Sequence, residues 1–306
     1  MSISSERRRF LQTCALAGAG AITTAVAGST ARAIEPVARS GKSYFKFSLA
    51  AYSYRDLLKA KPTKPKLTVD DFIADCARMQ LDGTELTSYY LPEEPTGEFL
   101  RHLKQHCFRL GLDISGTAVG NDFCHPPGAE RQREIDLVKR WAAYAELLGA
   151  PVIRIFSGSP HNTSEEEAHK LAVAAIEECC QYAGEHGVYL AIENHGGLTA
   201  TAEGILAIVR DVKSPWFGVN LDTGNFHGSD IYGEIAQLAP YAINVQLKVS
   251  ISGPDGQRQH ADFRRIARIL SDSGYRGYIV LEFEEPEDPL IACPRYVNEM
   301  REAFSG

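Results

Sequence analysis

The chain of 306 residues lacks the short motifs that identify several classes of protein. Its seven cysteines include no Cys-x-x-Cys pair, which excludes the common zinc and dithiol redox motifs. It has no Gly-x-x-x-x-Gly-Lys loop for binding phosphates and no low-complexity linker. Lys and Arg number 32 against 39 Asp and Glu, so the basic surface that nucleic-acid binding requires is not expected.

The first 33 residues have the composition of a targeting segment rather than of a folded domain. Arginines at 7–9 precede Phe10 and Leu11, an apolar stretch follows from 15 to 27, and small residues at 31 and 33 fit a cleavage site. The paired arginines predict export by the twin-arginine route, to the periplasm or the extracellular space. Because the apolar stretch is short and glycine-rich, whereas a membrane span needs about 20 apolar residues, stable membrane insertion after cleavage is not expected.

Residues 34–306 are predicted to form one domain. Their length is typical of an eightfold barrel, and no internal boundary interrupts them. They carry 28 Lys and Arg against 38 Asp and Glu, and they keep six of the seven cysteines. Export permits disulfides, but a protein that folds in the reducing cytoplasm before export is expected to keep buried thiols.

Strand-like and helix-like patterns alternate along this domain. Apolar runs predict strands at 44–52, 81–87, 112–120, 151–158, 188–194, 216–222, 243–249 and 277–283. Amphipathic segments predict helices near 69–79, 97–110, 129–148, 164–186, 201–210, 230–238, 260–273 and 289–304. This alternation predicts an α/β fold, a single (β/α)8 TIM barrel, rather than an open sheet.

Four acidic or amide side chains stand at the ends of four successive predicted strands: Glu193, Asp222, Gln246 and Glu282. They lie roughly 25 to 35 residues apart, about one βα unit each. In a closed parallel barrel they would therefore point into one mouth. Carboxylates at the ends of apolar strands are costly unless something compensates their charge, and a divalent cation would do so.

The motifs ENHGG (193–197), LDTGN (221–225), VQLK (245–248) and LEFE (281–284) resemble those of the xylose isomerase-like TIM-barrel superfamily, which includes the sugar phosphate isomerases and epimerases. The resemblance covers essentially all of residues 34–306. It implies one divalent metal held by Glu193, Asp222, Glu282 and the amide oxygen of Gln246, which stands where the family usually has histidine. An all-oxygen ligand set favours Mn²⁺, Mg²⁺ or Ca²⁺ over Zn²⁺.

The same resemblance implies proton transfer next to a sugar carbonyl. The metal would stabilise the enediolate, and Glu193 and Glu282 would move the proton, one on each face of the sugar. His195 and Lys248 share strand parity with Glu193 and Gln246, so both are expected further out in the mouth. His195 is a candidate for bonding a sugar hydroxyl, and Lys248 for stabilising the enolate or protonating a leaving oxygen.

Other polar residues at or after the strand ends are candidates for substrate contact: Glu85, Asn121, Asp122 and His227. Arg154 lies within the predicted fourth strand and is a candidate for substrate contact or, equally, for a buried partner of a barrel carboxylate. Four aromatic residues are candidates for sugar stacking, although the core is the more common place for them. They are Tyr52, Phe123, Phe156 and Trp216.

The predicted export bears on the substrate. Phosphorylated sugars are chiefly cytosolic, so a free sugar, an oxidised sugar or a glycoside is the better expectation. The sequence thus predicts a metal-dependent isomerase or epimerase acting on an unphosphorylated sugar, with the oligomeric state left open.

Two alternatives remain open. A 3-keto-glycoside lyase or hydratase of the same fold would share the first proton abstraction and then expel the aglycone. A carbohydrate-binding barrel without catalysis is the other alternative, because Gln246 departs from the family pattern. An endonuclease-type phosphodiesterase on this barrel would need several metals, more strand-end histidines and a basic face, all of which the sequence lacks.

Overall fold

Eight parallel strands form the inner wall of the protein. The computed structural model describes residues 35–59, 65–253 and 256–305. The barrel strands in this part are β1 (Tyr44–Ala50), β2 (Gly83–Glu85), β3 (Asp113–Ala118), β4 (Val152–Ile155), β5 (Tyr189–Glu193), β6 (Phe217–Asp222), β7 (Ala242–Lys248) and β8 (Arg276–Glu282).

A helix of at least eight residues follows each of these strands. The helices are α1 (Val69–Arg78), α2 (Gly97–Arg109), α3 (Ala129–Leu148), α4 (Glu165–Glu185), α5 (Ala202–Asp211), α6 (Ile231–Leu238), α7 (Phe263–Asp272) and α8 (Pro289–Phe304). Helix α1 begins with a capping box in which Thr68 and Asp71 satisfy each other's free backbone N–H groups. Helix α3 ends at Gly149, whose φ of +84° lies in the left-handed region that glycine adopts without strain.

The strands close into a barrel in the order β1-β8-β7-β6-β5-β4-β3-β2, with β2 back against β1. Every neighbouring pair is parallel, and β8 meets β1 with Leu281 beside Leu49. This closure confirms the (β/α)8 barrel predicted from the alternation of strands and helices. It brings all eight strand ends to the same rim.

Side chains alternate between the helices and the barrel interior along each strand, because successive residues of a strand point to opposite faces. Leu221, Leu247 and Leu281 are fully buried in the apolar core that the helices cover. Their neighbours Asp222 and Glu282 belong to the opposite face, which lines the barrel interior. Apolar packing against the helices thus fixes which polar residues face inward.

A short antiparallel hairpin, Ser250–Ser252 with Arg258–His260, follows β7 and was not predicted from the sequence. The predicted helix at 260–273 is wrong at its start, since α7 begins at Phe263. The reason is the cap: the side chain of Asp262 accepts from the backbone N–H of Arg265 at 2.9 Å.

The predicted targeting segment, residues 1–33, lies outside the described residues, and its export role stays a prediction. Within the described part, no helix is both long and apolar enough to span a membrane. The six cysteines there are free and buried: Cys76, Cys107, Cys124, Cys179, Cys180 and Cys293.

Candidate active site

A cavity of about 160 Å³ opens at the carboxyl end of the barrel strands. It is lined by Tyr52, Tyr89, Arg154, Phe156, Glu193, His195, Lys248, Glu282 and Glu284. The four predicted catalytic residues therefore meet at one place, on the rim where (β/α)8 enzymes carry their catalytic groups. A larger groove of about 610 Å³ runs between α1 and α8 on the outside of the barrel, away from the strand ends.

Glu193, the last residue of β5, is held by three neighbours. Its Oε2 lies 2.8 Å from Nε of Arg154, and both side chains are almost fully buried. Its Oε1 accepts from Nδ2 of Asn225 at 2.8 Å and lies 3.1 Å from Nδ1 of His195. Burial by itself would raise the pKa of Glu193, but the Arg154 guanidinium, helped by His195, lowers it below the usual value.

Lys248, the last residue of β7, places its ammonium among three carboxylates. Nζ lies 3.4 Å from Asp222 Oδ2 and 2.9 Å from Glu284 Oε1, and it donates to Oε2 of Glu282. Burial would lower the pKa of Lys248, but these carboxylates raise it well above the usual value. Burial raises the pKa of Glu282 and, more strongly, that of Asp222, although Lys248 opposes both shifts.

An amide network lies beneath the cavity and fixes the orientation of Gln246. Its Nε2 donates to Oε1 of Glu85 at 3.1 Å, and its Oε1 accepts from Nδ2 of Asn220 at 2.7 Å. Asn244 completes the ring by donating to Oδ1 of Asn220 at 2.8 Å and to Glu85 Oε2 at 3.3 Å. Because its Nε2 donates to Glu85, the Gln246 amide has its oxygen turned towards Asn220.

Asp222 has one carboxylate oxygen that accepts no hydrogen bond. Its Oδ1 accepts from the backbone N–H groups of Gly224 (2.8 Å) and Asn225 (3.1 Å), and Asn194 bonds its backbone on both sides. Its Oδ2 is buried and accepts no hydrogen bond, and the Lys248 ammonium lies 3.4 Å from it. A buried oxygen in a native fold calls for a partner, and here Lys248 supplies a cation that a metal ion would have to displace.

Acidic groups outnumber basic groups around the cavity in the part of the chain that the structure describes. Five carboxyl groups line it or lie next to it, Glu85, Glu193, Asp222, Glu282 and Glu284, together with the two cations Arg154 and Lys248. In charge and donor chemistry, the three predicted carboxylate ligands fit a hard divalent cation. Among the described residues, however, Glu193, Asp222 and Glu282 do not bring three oxygens within 4.8 Å of one another, because Lys248 lies between two of them. Gln246, the fourth predicted ligand, has its oxygen turned to Asn220.

The residues predicted to contact the substrate lie in different parts of the site. Arg154 lines the cavity, whereas Glu85 lies below it in the amide network. Asn121 instead bonds the backbone of Phe156 with both ends of its amide, at 2.9 and 3.0 Å, and so anchors the end of β4. His227 is exposed on the rim and bonds Ser252 of the hairpin at 3.1 Å, so it does not line the cavity either.

Of the four aromatic candidates, Tyr52 and Phe156 line the cavity. The guanidinium of Arg154 stacks over the Phe156 ring with its carbon 4.0 Å from the centroid, and His195 packs against the same ring at 4.3 Å. Phe123 is fully buried in the core, and Trp216 packs on Tyr189 at the opposite end of the strands.

Three residues of the site were not predicted as such: Asn225, Glu284 and Tyr89. Asn225 is the last letter of the LDTGN motif, and Glu284 stands two residues after Glu282, so a closer reading of both motifs would have indicated them. Tyr89, whose OH accepts from Arg154 at 3.3 Å, follows β2 in a segment without a recognisable signal.

A (β/α)8 barrel with acidic strand ends around one small cavity defines a broad class of enzymes. Within that class, residues 73–300 match the family described as xylose isomerase-like TIM barrel. The chain belongs to this family, as its motifs predicted. None of the curated proteins compared with the chain matches its sequence significantly.

Solved structures with sugar-related names share the fold at low sequence identity. A D-psicose 3-epimerase determined with D-fructose has a TM-score of 0.70 and 15% identity, covering 85% of this chain and 100% of that one. An L-ribulose 3-epimerase has a TM-score of 0.70 and 15% identity, covering 86% and 95%. The 3-keto-D-glucoside 4-epimerase of E. coli has a TM-score of 0.65 and 14% identity, covering 85% and 100%. At this identity the likeness establishes the fold.

Proposed function

We propose that this protein is a sugar isomerase or epimerase that moves a proton on a carbon next to a carbonyl. The observation that supports the proposal is the pair of buried carboxylates, Glu193 and Glu282, at the rim of one small cavity. Each is held by a different cation, Arg154 for Glu193 and Lys248 for Glu282. Two positioned carboxylates are what removal and return of a proton require.

The surroundings of the two carboxylates separate their roles. Arg154 keeps Glu193 ionised, so Glu193 is suited to take the proton from carbon. Burial raises the pKa of Glu282, so of the two carboxyl groups Glu282 is the better suited to return a proton, on the other side of the substrate. Pairs of acids whose environments push their pKa values apart are typical of acid–base enzymes.

Lys248 and His195 are placed to bind oxygen atoms of the substrate. Lys248 faces the cavity with its ammonium between Glu282 and Glu284, where it can stabilise the negative charge that develops on the carbonyl oxygen. His195 lies over Phe156 with about half of its side chain exposed, so it can bond a hydroxyl of a substrate that enters the cavity.

The charge of the cavity supports an unphosphorylated substrate. Both of its cations are bonded to carboxylates of the protein, Arg154 to Glu193 and Lys248 to Glu282 and Glu284. A phosphate dianion would meet a surplus of negative charge, whereas a neutral polyol would not. At about 160 Å³ the cavity is also smaller than pockets for drug-sized ligands, which start at about 300 Å³, and so it suits one sugar unit.

One divalent cation is part of this proposal. Glu193, Asp222 and Glu282 would hold it once the Lys248 ammonium moves from between Asp222 and Glu282. When bound, the cation would polarise the substrate carbonyl. The oxygen donors favour Mn²⁺, Mg²⁺ or Ca²⁺ over Zn²⁺.

The experiment is solvent-hydrogen exchange. Purified protein with Mn²⁺ is incubated in deuterated water with free ketoses, aldoses and 3-keto-glycosides, together with the phosphate esters of the same sugars. We expect deuterium at the carbon next to the carbonyl of an unphosphorylated compound, and a loss of at least about 100-fold in Glu193→Gln. A rearranged sugar identifies an isomerase or epimerase, and release of an aglycone identifies the lyase instead. Binding of a sugar without exchange would overturn the proposal in favour of a binding protein.

A further inference from the structure

A second group of potential metal ligands lies in two loops outside the barrel cavity. Asp122 and His125 belong to the loop after β3, and His161 to the loop after β4. One donor atom from each side chain lies within 4.8 Å of the other two, and all three residues are partly exposed. In residues 35–59, 65–253 and 256–305, no other trio of His, Cys, Asp or Glu meets this distance.

The fold holds Asp122 at the centre of this group. Its Oδ1 accepts from the backbone N–H of Cys124 at 2.9 Å, and its Oδ2 lies 2.8 Å from Nε2 of His161. A Cβ atom on Gly158 would lie 1.9 Å from the Asp122 Oδ1, so a larger residue at 158 would displace the carboxylate from this position. The two strand-end loops thus leave space for this carboxylate.

The two imidazoles lie beside each other. The rings of His125 and His161 are stacked, with centroids 4.1 Å apart and planes within 5° of parallel. Glu130 Oε2 lies 3.6 Å from Nδ1 of His125 and adds negative charge next to the rings. Since an imidazole binds a metal in the plane of its ring, binding requires the stacked rings to rotate apart about their Cβ–Cγ bonds.

We propose that Asp122, His125 and His161 form a transition-metal site, separate from the mouth of the barrel. Two imidazole nitrogens and one carboxylate oxygen suit Zn²⁺, Co²⁺ or Ni²⁺, which bind nitrogen at about 2.0–2.1 Å. The partial exposure of the group leaves room for water as a further ligand. The mouth differs in kind, because its donors are carboxylate oxygens that favour harder cations.

The site has a structural consequence for the cavity. The two loops already touch where Phe123 N–H donates to the carbonyl of Ser157 at 3.1 Å. Asn121, next to Asp122, bonds the backbone of Phe156, whose ring lines the cavity. A metal that joins Asp122 and His125 to His161 would therefore clamp the two loops that support this wall.

The test is titration of the full-length protein with Co²⁺, followed by visible absorption and calorimetry. The titration uses a protein with Asp222→Asn and Glu282→Gln as the background, so that metal binding at the mouth of the barrel is weakened. We expect Co²⁺ to bind in this background with a change in its visible absorption, and affinity at least about 10-fold weaker in His125→Ala and in His161→Ala. The matched control is His169→Ala, because His169 forms a similar pair with Asp211 at 2.7 Å but has no second histidine beside it. Its affinity should not change.

Zn²⁺ supplies a second measurement. It should raise the melting temperature of the background protein and of His169→Ala, and not that of His125→Ala. Should His161→Ala fail to fold, His125→Ala carries the same test. The proposal is overturned if the background protein binds no Co²⁺, or if His125→Ala and His161→Ala keep its Co²⁺ affinity.

Discussion

The two ends of the barrel both carry ionised side chains, but in opposite environments. At the amino end of the strands, Lys46 and Asp113 form an ion pair at 2.5 Å with side chains 37% and 58% exposed. At the carboxyl end, Arg154 and Glu193 pair at 2.8 Å with side chains only 6% and 4% exposed. Lys248 is equally buried and contacts three carboxylates there.

The exposed ion pair at the amino end is consistent with a role in stability, whereas the buried charges at the carboxyl end need another explanation. An exposed pair such as Lys46–Asp113 contributes roughly 0–1 kcal/mol. Burying an ion requires removal of its water, at several kcal/mol, and well-packed apolar side chains are often at least as stable. Stability therefore does not account for the buried charges of the mouth. Their concentration around one cavity instead supports a chemical role.

The largest expected difference between the two ends is in activity. Glu282→Gln at the mouth should reduce solvent exchange by at least about 100-fold, since it removes a positioned acid. Asp113→Asn at the amino end should change the rate less than about twofold. Both are assayed at saturating Mn²⁺, because loss of a carboxylate also weakens metal binding. Equal rates in the two variants would contradict the role given to Glu282.

Removing one lysine from each end compares stability. Lys248→Met leaves Asp222 and Glu282 buried without their cation, and we expect the free energy of unfolding to fall by about 3–5 kcal/mol. Lys46→Met should lower it by less than about 1 kcal/mol. Urea unfolding at pH 7.5 with a chelator measures both values. Added Mn²⁺ should restore part of the lost stability in Lys248→Met but not in Lys46→Met. Similar losses in both variants, with no effect of Mn²⁺, would contradict the difference between the two ends.

The two ends should respond to pH with opposite sign. Burial raises the pKa of Glu85 to about 7, so its ionisation opposes folding. The stability that protonated Glu85 contributes is fully present below its unfolded-state pKa near 4.5. It is lost as the pH rises to about 7, and the loss in the free energy of unfolding is about 3 kcal/mol. At the amino end, Lys46 and Tyr278 lower the pKa of Asp113. The stability that ionised Asp113 contributes is therefore present above its unfolded-state pKa and is lost as the pH falls.

Unfolding measured from pH 3 to pH 8 checks both signs. Relative to Glu85→Gln, the unmodified protein should lose stability between pH 4.5 and pH 7. Relative to Asp113→Asn, it should lose stability only in the acidic part of the range. A difference for Glu85→Gln that does not depend on pH would show that its carboxyl titrates normally.

The smallest expected effect is on metal preference. Gln246→His places an imidazole at the position where the family usually has one, and it should shift preference towards Zn²⁺ or Co²⁺ by about 10-fold. Gln246→Leu is the matched variant without a donor, and it should weaken every metal if Gln246 is a ligand. Calorimetric titration of both variants with Mn²⁺ and with Zn²⁺ measures these affinities. Unchanged binding in both variants would assign Gln246 to the amide network with Asn220 and Glu85.

The sequence by itself determined the fold and the carboxylate positions. Alternating strand and helix periods are local properties of the chain, so they predicted the eightfold barrel without any contact being known. The last four barrel strands, β5 to β8, carry an acid or amide at or near their carboxyl ends, so closure of the barrel alone brings Glu193, Asp222 and Glu282 to one rim. Helix α1 likewise begins at Val69, where the amphipathic pattern predicted it.

Only the tertiary structure decided which partner each of these groups has. Gln246 bonds Glu85 across 161 residues of chain, and no local pattern shows that its oxygen turns to Asn220 rather than to the mouth. The meeting of Asp122 with His161 was likewise invisible in the sequence, because it depends on how two loops pack. Side-chain hydrogen bonds and ion pairs depend on distances of a few ångströms. The period of a strand fixes the face on which a residue lies, but not its partner across the barrel.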